Sequence, residues 1–146
     1  MVGKIVYTSD AKTFSQDEVN SFADMSGEHQ WIQIDPERCK TDHVFALKKT
    51  VAHGFYTIST YGGNIVAAFP KSTIFLTEIV NVKFVRPIYV DDPVYNTCKL
   101  LSVEDISKDH FRLKIEGQTY HKETNKRCIK ITCIGYMHKH LPSTKG

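Results

Sequence analysis

Two hydrophobic periods divide the chain. Near the start, Val19, Phe22, Ala23 and Ser26 share one face at helical spacing. In the second half, Val80, Val82 and Phe84 alternate with Asn81 and Lys83. Phe111, Leu113 and Ile115 likewise alternate with Arg112, Lys114 and Glu116, and Ile129 and Ile131 with Lys130 and Thr132. Period two is the mark of strands with one wet face. The lysines at positions 83, 99, 114 and 130 fall on outward-reading strand positions, where solvation is the default.

The first helix announces its own start. Ser15 is placed to cap it, Glu18 three residues on completes a capping box, and Phe14 with Val19 has the spacing of a hydrophobic staple. The helix therefore begins near Gln16, and Gly27 is placed to end it with a left-handed residue. A short strand, KIVYTSD, precedes it. A loop follows from Glu28 through WIQIDPERCKTDHVFALKKT, in which Asp35-Pro36-Glu37-Arg38 opens a short helical segment. Next comes a long apolar stretch, Val51 to Pro70, with Phe55, Ile58, Gly62, Ile65, Val66 and Phe69 in a 3.6-residue stripe and almost no charge on any side. It reads as a buried helix, Ala52 to Phe69, closed by Pro70. Asp91-Asp92-Pro93, Lys108-Asp109 and Thr124-Asn125-Lys126 supply turns between the later strands. The order is strand, helix, loop, buried helix, then about four antiparallel strands: an α+β domain whose sheet wraps one helix.

Composition narrows the class. A chain of 146 residues fits one domain, residues 1–146, that buries roughly two-thirds of its unfolded surface. With 41% apolar and 24% charged residues, and no run near the ~20 apolar residues a span needs, no membrane span is expected. MVGKIVYTSDAK has neither the apolar core of a signal peptide nor the composition of a transit peptide, so a cytoplasmic setting is expected. Cys39, Cys98, Cys128 and Cys133 show no Cys-x-x-Cys spacing and read as reduced, mostly buried small hydrophobes. Cys39 and His43 lack a second ligand pair, so no metal site and no cofactor are expected. The net charge of +3 is spread out except near the C-terminus, which gives nucleic-acid binding little support. A basic rim suits the phosphates of a nucleotide-tailed substrate equally well.

The chemistry concentrates in SGEHQWIQIDPE, residues 26–37, together with Ala52-His53-Gly54 at the mouth of the long helix. A helix N-terminus offers unpaired N–H groups and partial positive charge, and a glycine there lets an oxygen approach the backbone. A thioester carbonyl held by the Gly54 N–H would acidify the adjacent carbon, and the Glu28 carboxylate is at hand to move a proton on or off it.

FSQDEVNSFADMSGEHQWIQIDPE, then VAHGFYTIS, then VKFVRPIYVDDPVYNTCKL resemble in order the MaoC-type, or hydratase-2, branch of the hot-dog fold, from about Thr13 to the last strand. The resemblance implies a sheet wrapped around a central helix and pairing as a homodimer through a shared sheet. It also implies hydration of trans-2-enoyl thioesters, or dehydration of (R)-3-hydroxyacyl thioesters, carried on coenzyme A or an acyl carrier protein. Family members grip the water with an aspartate directly after Ser-Gly and a histidine five positions later. By position these fall on Glu28 and Gln33, so both depart from the pattern. Glutamate keeps a carboxylate on a longer arm. A glutamine amide can hold water but cannot exchange its proton near neutral pH.

The resulting assignment makes Glu28, Gln33 and Gly54 catalytic, with Trp31, Ala52, His53 and Phe55 contacting substrate. Competing readings attach to several residues. His29 is a substitute base only if it shares the pocket with Glu28, and neighbours in an extended loop point opposite ways. His53 also reads as a helix-start histidine satisfied by backbone, Trp31 as a packing anchor, Arg86 as a tie to a turn or an acid, and Tyr56 and Tyr61 as core or dimer contacts. Two rival functions stand beside the hydro-lyase. One is an acyl-thioester-binding or regulatory subunit, motivated by the missing histidine. The other is a thioesterase, disfavoured because residues 51–69 hold no carboxylate.

Overall fold

The computed structural model describes residues 1–139. The elements are β1 (Ile5–Thr8), α1 (Gln16–Ser26), α2 (Trp31–Ile34), α3 (Pro36–Lys40), α4 (Gly54–Ala68), β2 (Ile74–Phe84), β3 (Val94–Asp105), β4 (His110–His121) and β5 (Arg127–His138). The strands form one antiparallel sheet in the order β1-β3-β4-β5-β2.

Local signals account for the boundaries. Ser15 caps α1 by accepting the Glu18 N–H at 3.1 Å, and Gly27 closes it with φ 82° and an N–H to Ala23 O. Phe14 and Val19 are both buried in the core. Asp35 caps α3 by accepting the Arg38 N–H, with Pro36 in the first turn. Asp91 and Asn125 adopt positive φ in two of the turns that separate the later strands. All four cysteines are free and buried.

The core lies between one face of the sheet and α4. Tyr61 packs with Ile129, Ile131 and Cys133 in one cluster, and Ile65 with Cys98, Leu100, Leu113 and Ile115 in the next. Gly117 on β4 permits this closeness, since a Cβ there would stand 2.7 Å from the Tyr61 ring. Within this interface Tyr61, Thr119 and Asn96 form a buried polar chain, and Asn96 passes it on to Thr60 Oγ1 and Asn64 Oδ1 on α4.

Three expectations change. The helix runs from Gly54 to Ala68, two residues shorter at its start, with His53 as its cap residue. It is not buried all round: its inner face is Thr57, Tyr61 and Ile65, whereas Phe55 and Val66 of the expected stripe are 70% and 53% exposed. The stripe followed hydrophobicity alone, and the sheet takes the adjacent face, which carries two hydroxyls. Finally, WIQI is not extended loop but the one-turn helix α2.

Candidate functional site

Four segments meet at the N-terminus of α4. The left-handed Gly27 releases the chain at Glu28, whose N–H donates to Ser26 Oγ at 3.2 Å. Helix α2 then turns Gln33 inward, leaving it 5% exposed. Residues 51 and 52 are stitched in place by Val51 N–H to Ile32 O (2.9 Å) and Ala52 N–H to Ile88 O (2.8 Å). Gln16 clamps the assembly: its Nε2 donates to Gln33 O at 2.7 Å and its Oε1 accepts from Thr50 Oγ1 at 2.6 Å.

His53 is fully buried, its ring tilted 4.9 Å from that of Phe22. Its Nε2 lies 2.9 Å from Glu28 O. A carbonyl only accepts, so Nε2 carries a proton and donates it, while Nδ1 is buried and without a partner. This bond ties the backbone of residue 28 to the start of α4.

A cavity of about 260 Å³ opens beside this junction, walled by Gln33, Ala52, Gly54, Phe84, Arg86 and Ile129 among others. The first intrahelical bond of α4 is Thr57 N–H to His53 O, so the amides of residues 54–56 have no intrahelical acceptor. A Cβ on Gly54 would stand 3.1 Å from the Phe84 ring, so the missing side chain lets Phe84 pack against the start of α4. Gln33 Oε1 is buried and accepts nothing from the protein. An acceptor in that state costs about 1–3 kcal/mol unless a bound group donates to it. The site can thus polarise a carbonyl at Gly54 and orient a water or hydroxyl at Gln33.

Of the residues expected here, Gln33, Ala52 and Gly54 share the cavity wall. Glu28 joins through its carbonyl, with its side chain half-buried and not part of that wall, and His53 sits behind it. Trp31 is packed under the Arg38 guanidinium, 4.3 Å from the ring centroid, with Phe45 at 6.2 Å. Phe55 lines a second cavity. His29 is turned to Asp24 Oδ1 at 2.9 Å, and that hydrogen bond raises its pKa. Arg86 ties the turn before β5, donating to Arg127 O at 2.6 Å. Among the described residues no group of His, Cys, Asp and Glu gathers as a metal site, and no helix is long and apolar enough to cross a membrane. Gln16 and Phe84 were not singled out from sequence. One looked like an ordinary first-turn residue and the other like one of several alternating strand residues, and nothing local marks either.

Comparison with known proteins bears on the same elements. The model of the "MaoC like domain" family matches residues 1–126. Over 107 residues the chain is 36% identical to the 3-hydroxyacyl-thioester dehydratase Z of Mycobacterium tuberculosis, covering 71% of this chain and 69% of that one. The fold resembles that of the monoamine oxidase regulatory protein of Archaeoglobus fulgius, with TM-score 0.80 at 14% identity over 95% of this chain and 91% of the other. It also resembles the R-hydratase PhaJ1 of Pseudomonas aeruginosa, with TM-score 0.76 at 17% identity over 92% and 80%.

Proposed function

The chain belongs to the MaoC-like domain family, and from that premise we propose that it is a hydro-lyase of acyl thioesters, hydrating trans-2-enoyl or dehydrating (R)-3-hydroxyacyl groups carried on coenzyme A or an acyl carrier protein. The observation that carries the reading is the meeting, in one cavity, of a glycine amide at a helix N-terminus and a buried glutamine oxygen that lacks a donor. The Gly54 N–H donates to the thioester oxygen as it gains negative charge. Gln33 holds the water. Glu28 takes a proton from that water as it adds to C3 and returns it to C2, so one carboxylate serves both ends of the addition. Ala52 lines the cavity and His53 backs it, Phe55 lines the neighbouring cavity, and Trp31 acts on the site only through the packing of α2. A homodimer joined through β2 is part of the proposal, as is a cytoplasmic setting, which four free cysteines support.

The experiment is direct. Purified protein should bleach the conjugated double bond of crotonyl-CoA, and Glu28→Gln should lower kcat by at least a hundredfold. Unchanged turnover in that variant would remove Glu28 from the mechanism. A second reading rests on Gln33 itself: with no second proton carrier, the chain binds acyl thioesters without turning them over. Saturable binding of crotonyl-CoA with no loss of its double bond would select that reading.

A further inference from the structure

The addition that Glu28 serves has two substrates, and the smaller one is water. A thioester held at Gly54 fills the cavity there, whose wall reaches solvent at the exposed Val85 and Arg86. Water must enter before the thioester or come from behind it. Dehydration poses the same problem in reverse: breaking the C3–O and C2–H bonds forms the C2=C3 double bond and sets one water free beside Gln33.

A third cavity, also of about 260 Å³, adjoins the first. Thr57, Thr60 and Asn64 of α4 line it together with Ser9 and Asn96. Asp10 and Lys12 belong to the same wall and are exposed, so it opens to solvent just after β1. The two cavities have Thr57 and Ile88 in common, residues only 3% and 4% exposed. One layer of side chains separates them.

The polar residues of α4 connect the two spaces. Gly54, Thr57, Thr60 and Asn64 recur at three- and four-residue spacing and form one stripe along the helix, about 15 Å long by helical rise. Thr57 Oγ1 donates to Gly54 O at 2.7 Å. Thr60 Oγ1 donates to Thr57 O at 2.8 Å and accepts from Asn96 Nδ2 at 2.9 Å. Both hydroxyl oxygens retain lone pairs for water. At ~30 Å³ each, roughly eight waters fit a cavity of this size, and its polar wall offers the partners they require. A helical threonine divides between two rotamers because its hydroxyl can bond a carbonyl one turn back, whereas valine keeps one rotamer about 90% of the time. When Thr57 leaves the Gly54 carbonyl, it vacates one staggered position in the shared wall.

Resting on the hydro-lyase reading, we infer that the third cavity is a rear entrance and exit for the reacting water, with Thr57 as its gate, so that water exchanges with solvent while the thioester stays bound.

Isotope exchange at chemical equilibrium tests the order of departure. (R)-3-Hydroxybutyryl-CoA carrying heavy oxygen on C3 is mixed with radiolabelled crotonyl-CoA. Loss of heavy oxygen to solvent measures the escape of water, and transfer of the radiolabel between the thioesters measures the escape of the enoyl group. Side-chain rotamers flip in picoseconds to nanoseconds and product release often limits turnover, so the wild type should lose oxygen at least about threefold faster than it transfers radiolabel. Thr57→Val keeps the shape of the side chain and should bring the two rates together. Asn64→Leu makes the cavity wall apolar while Asn96 Nδ2 keeps its bond to Thr60, and should do the same. The ratio of two rates from one enzyme does not move with a general loss of activity or stability. Equal rates in the wild type, or an excess of oxygen loss that survives either variant, overturn the rear route and leave the hydro-lyase reading standing. Exchange of neither label overturns the hydro-lyase reading and the route with it.

Discussion

Gln33 shows how much chemistry one buried side chain decides. Its backbone is fixed at both ends, the N–H bonded to Gln30 O and the carbonyl to Gln16, so the side chain enters the cavity wall from a set direction. Replacement by histidine keeps a planar polar group of similar size while adding a titratable nitrogen. Gln33→His should raise kcat on crotonyl-CoA by at least tenfold, general acid–base groups typically contributing 10²–10⁴. The pH profile should gain an ionisation near that of histidine, and a faster enzyme with an unchanged profile would contradict the role. Thr119 illustrates the opposite case, a polar side chain with a purely structural duty. It receives Tyr61 and donates to Asn96 inside the sheet–helix interface. Thr119→Val preserves shape but strands two buried partners, so urea unfolding should show a loss of about 2–4 kcal/mol. Tyr61→Phe, which leaves the Thr119–Asn96 bond intact, should cost less.

At the level of elements, α1 and α4 are coupled by one carboxylate. Tyr56 Oη donates to Glu18 Oε2 at 2.8 Å, and Lys12 Nζ reaches the same oxygen at 3.2 Å. These bonds, Tyr56 first, lower the Glu18 pKa from its ordinary 4.5, while burial and then the Glu18 bond push the Tyr56 phenol up to about 12. A carboxyl whose folded pKa is depressed stabilises the fold fully above its ordinary value and loses that contribution as pH falls through the lowered one. Tyr56→Phe keeps the ring contacts with Phe14 and Phe22 but removes the largest cause of the shift. The fall in Tm between pH 7 and pH 3 should therefore be smaller in the variant than in the wild type. An equal fall would mean the pair adds nothing. The two ends of this link differ in how visible they were. The Ser15–Glu18 cap, the Phe14–Val19 staple and the Gly27 stop act within a few residues, so the sequence alone located α1. The bonds from Tyr56 to Glu18 and from His53 to Glu28 O span 38 and 25 residues, and no local spacing encodes them. The inner face of α4 was misjudged for a related reason: Thr57 and Tyr61 are polar in composition but bury their hydroxyls against partners that only the folded sheet provides. Gly54 and Gln33 could be assigned by position in a motif, whereas their shared cavity depends on Phe84 and Arg86, brought in by a distant strand end.

For the whole molecule the decisive feature is an asymmetry between the two edges of the sheet. The β1 edge is four residues long and its pairing with β3 shifts register between Ile5 and Tyr7, two devices that blunt an edge. The β2 edge is eleven residues long and exposes Phe75, Leu76, Ile79, Val80 and Phe84. Beside it, the outer side of α4 exposes Phe55 and Val66. A long edge strand bare on both faces, next to an apolar helix surface, is a strong drive to self-association. A two-fold pairing of β2 with its copy satisfies the unpaired backbone of both edges at once and leaves no open end for further growth. Light scattering coupled to size exclusion should report about twice the chain mass of 16.7 kDa. Phe75→Lys combined with Val80→Lys places like charges along the seam and should return the protein to one chain mass. Both positions lie outside the walls of the three cavities, so the variant also asks whether the site works alone.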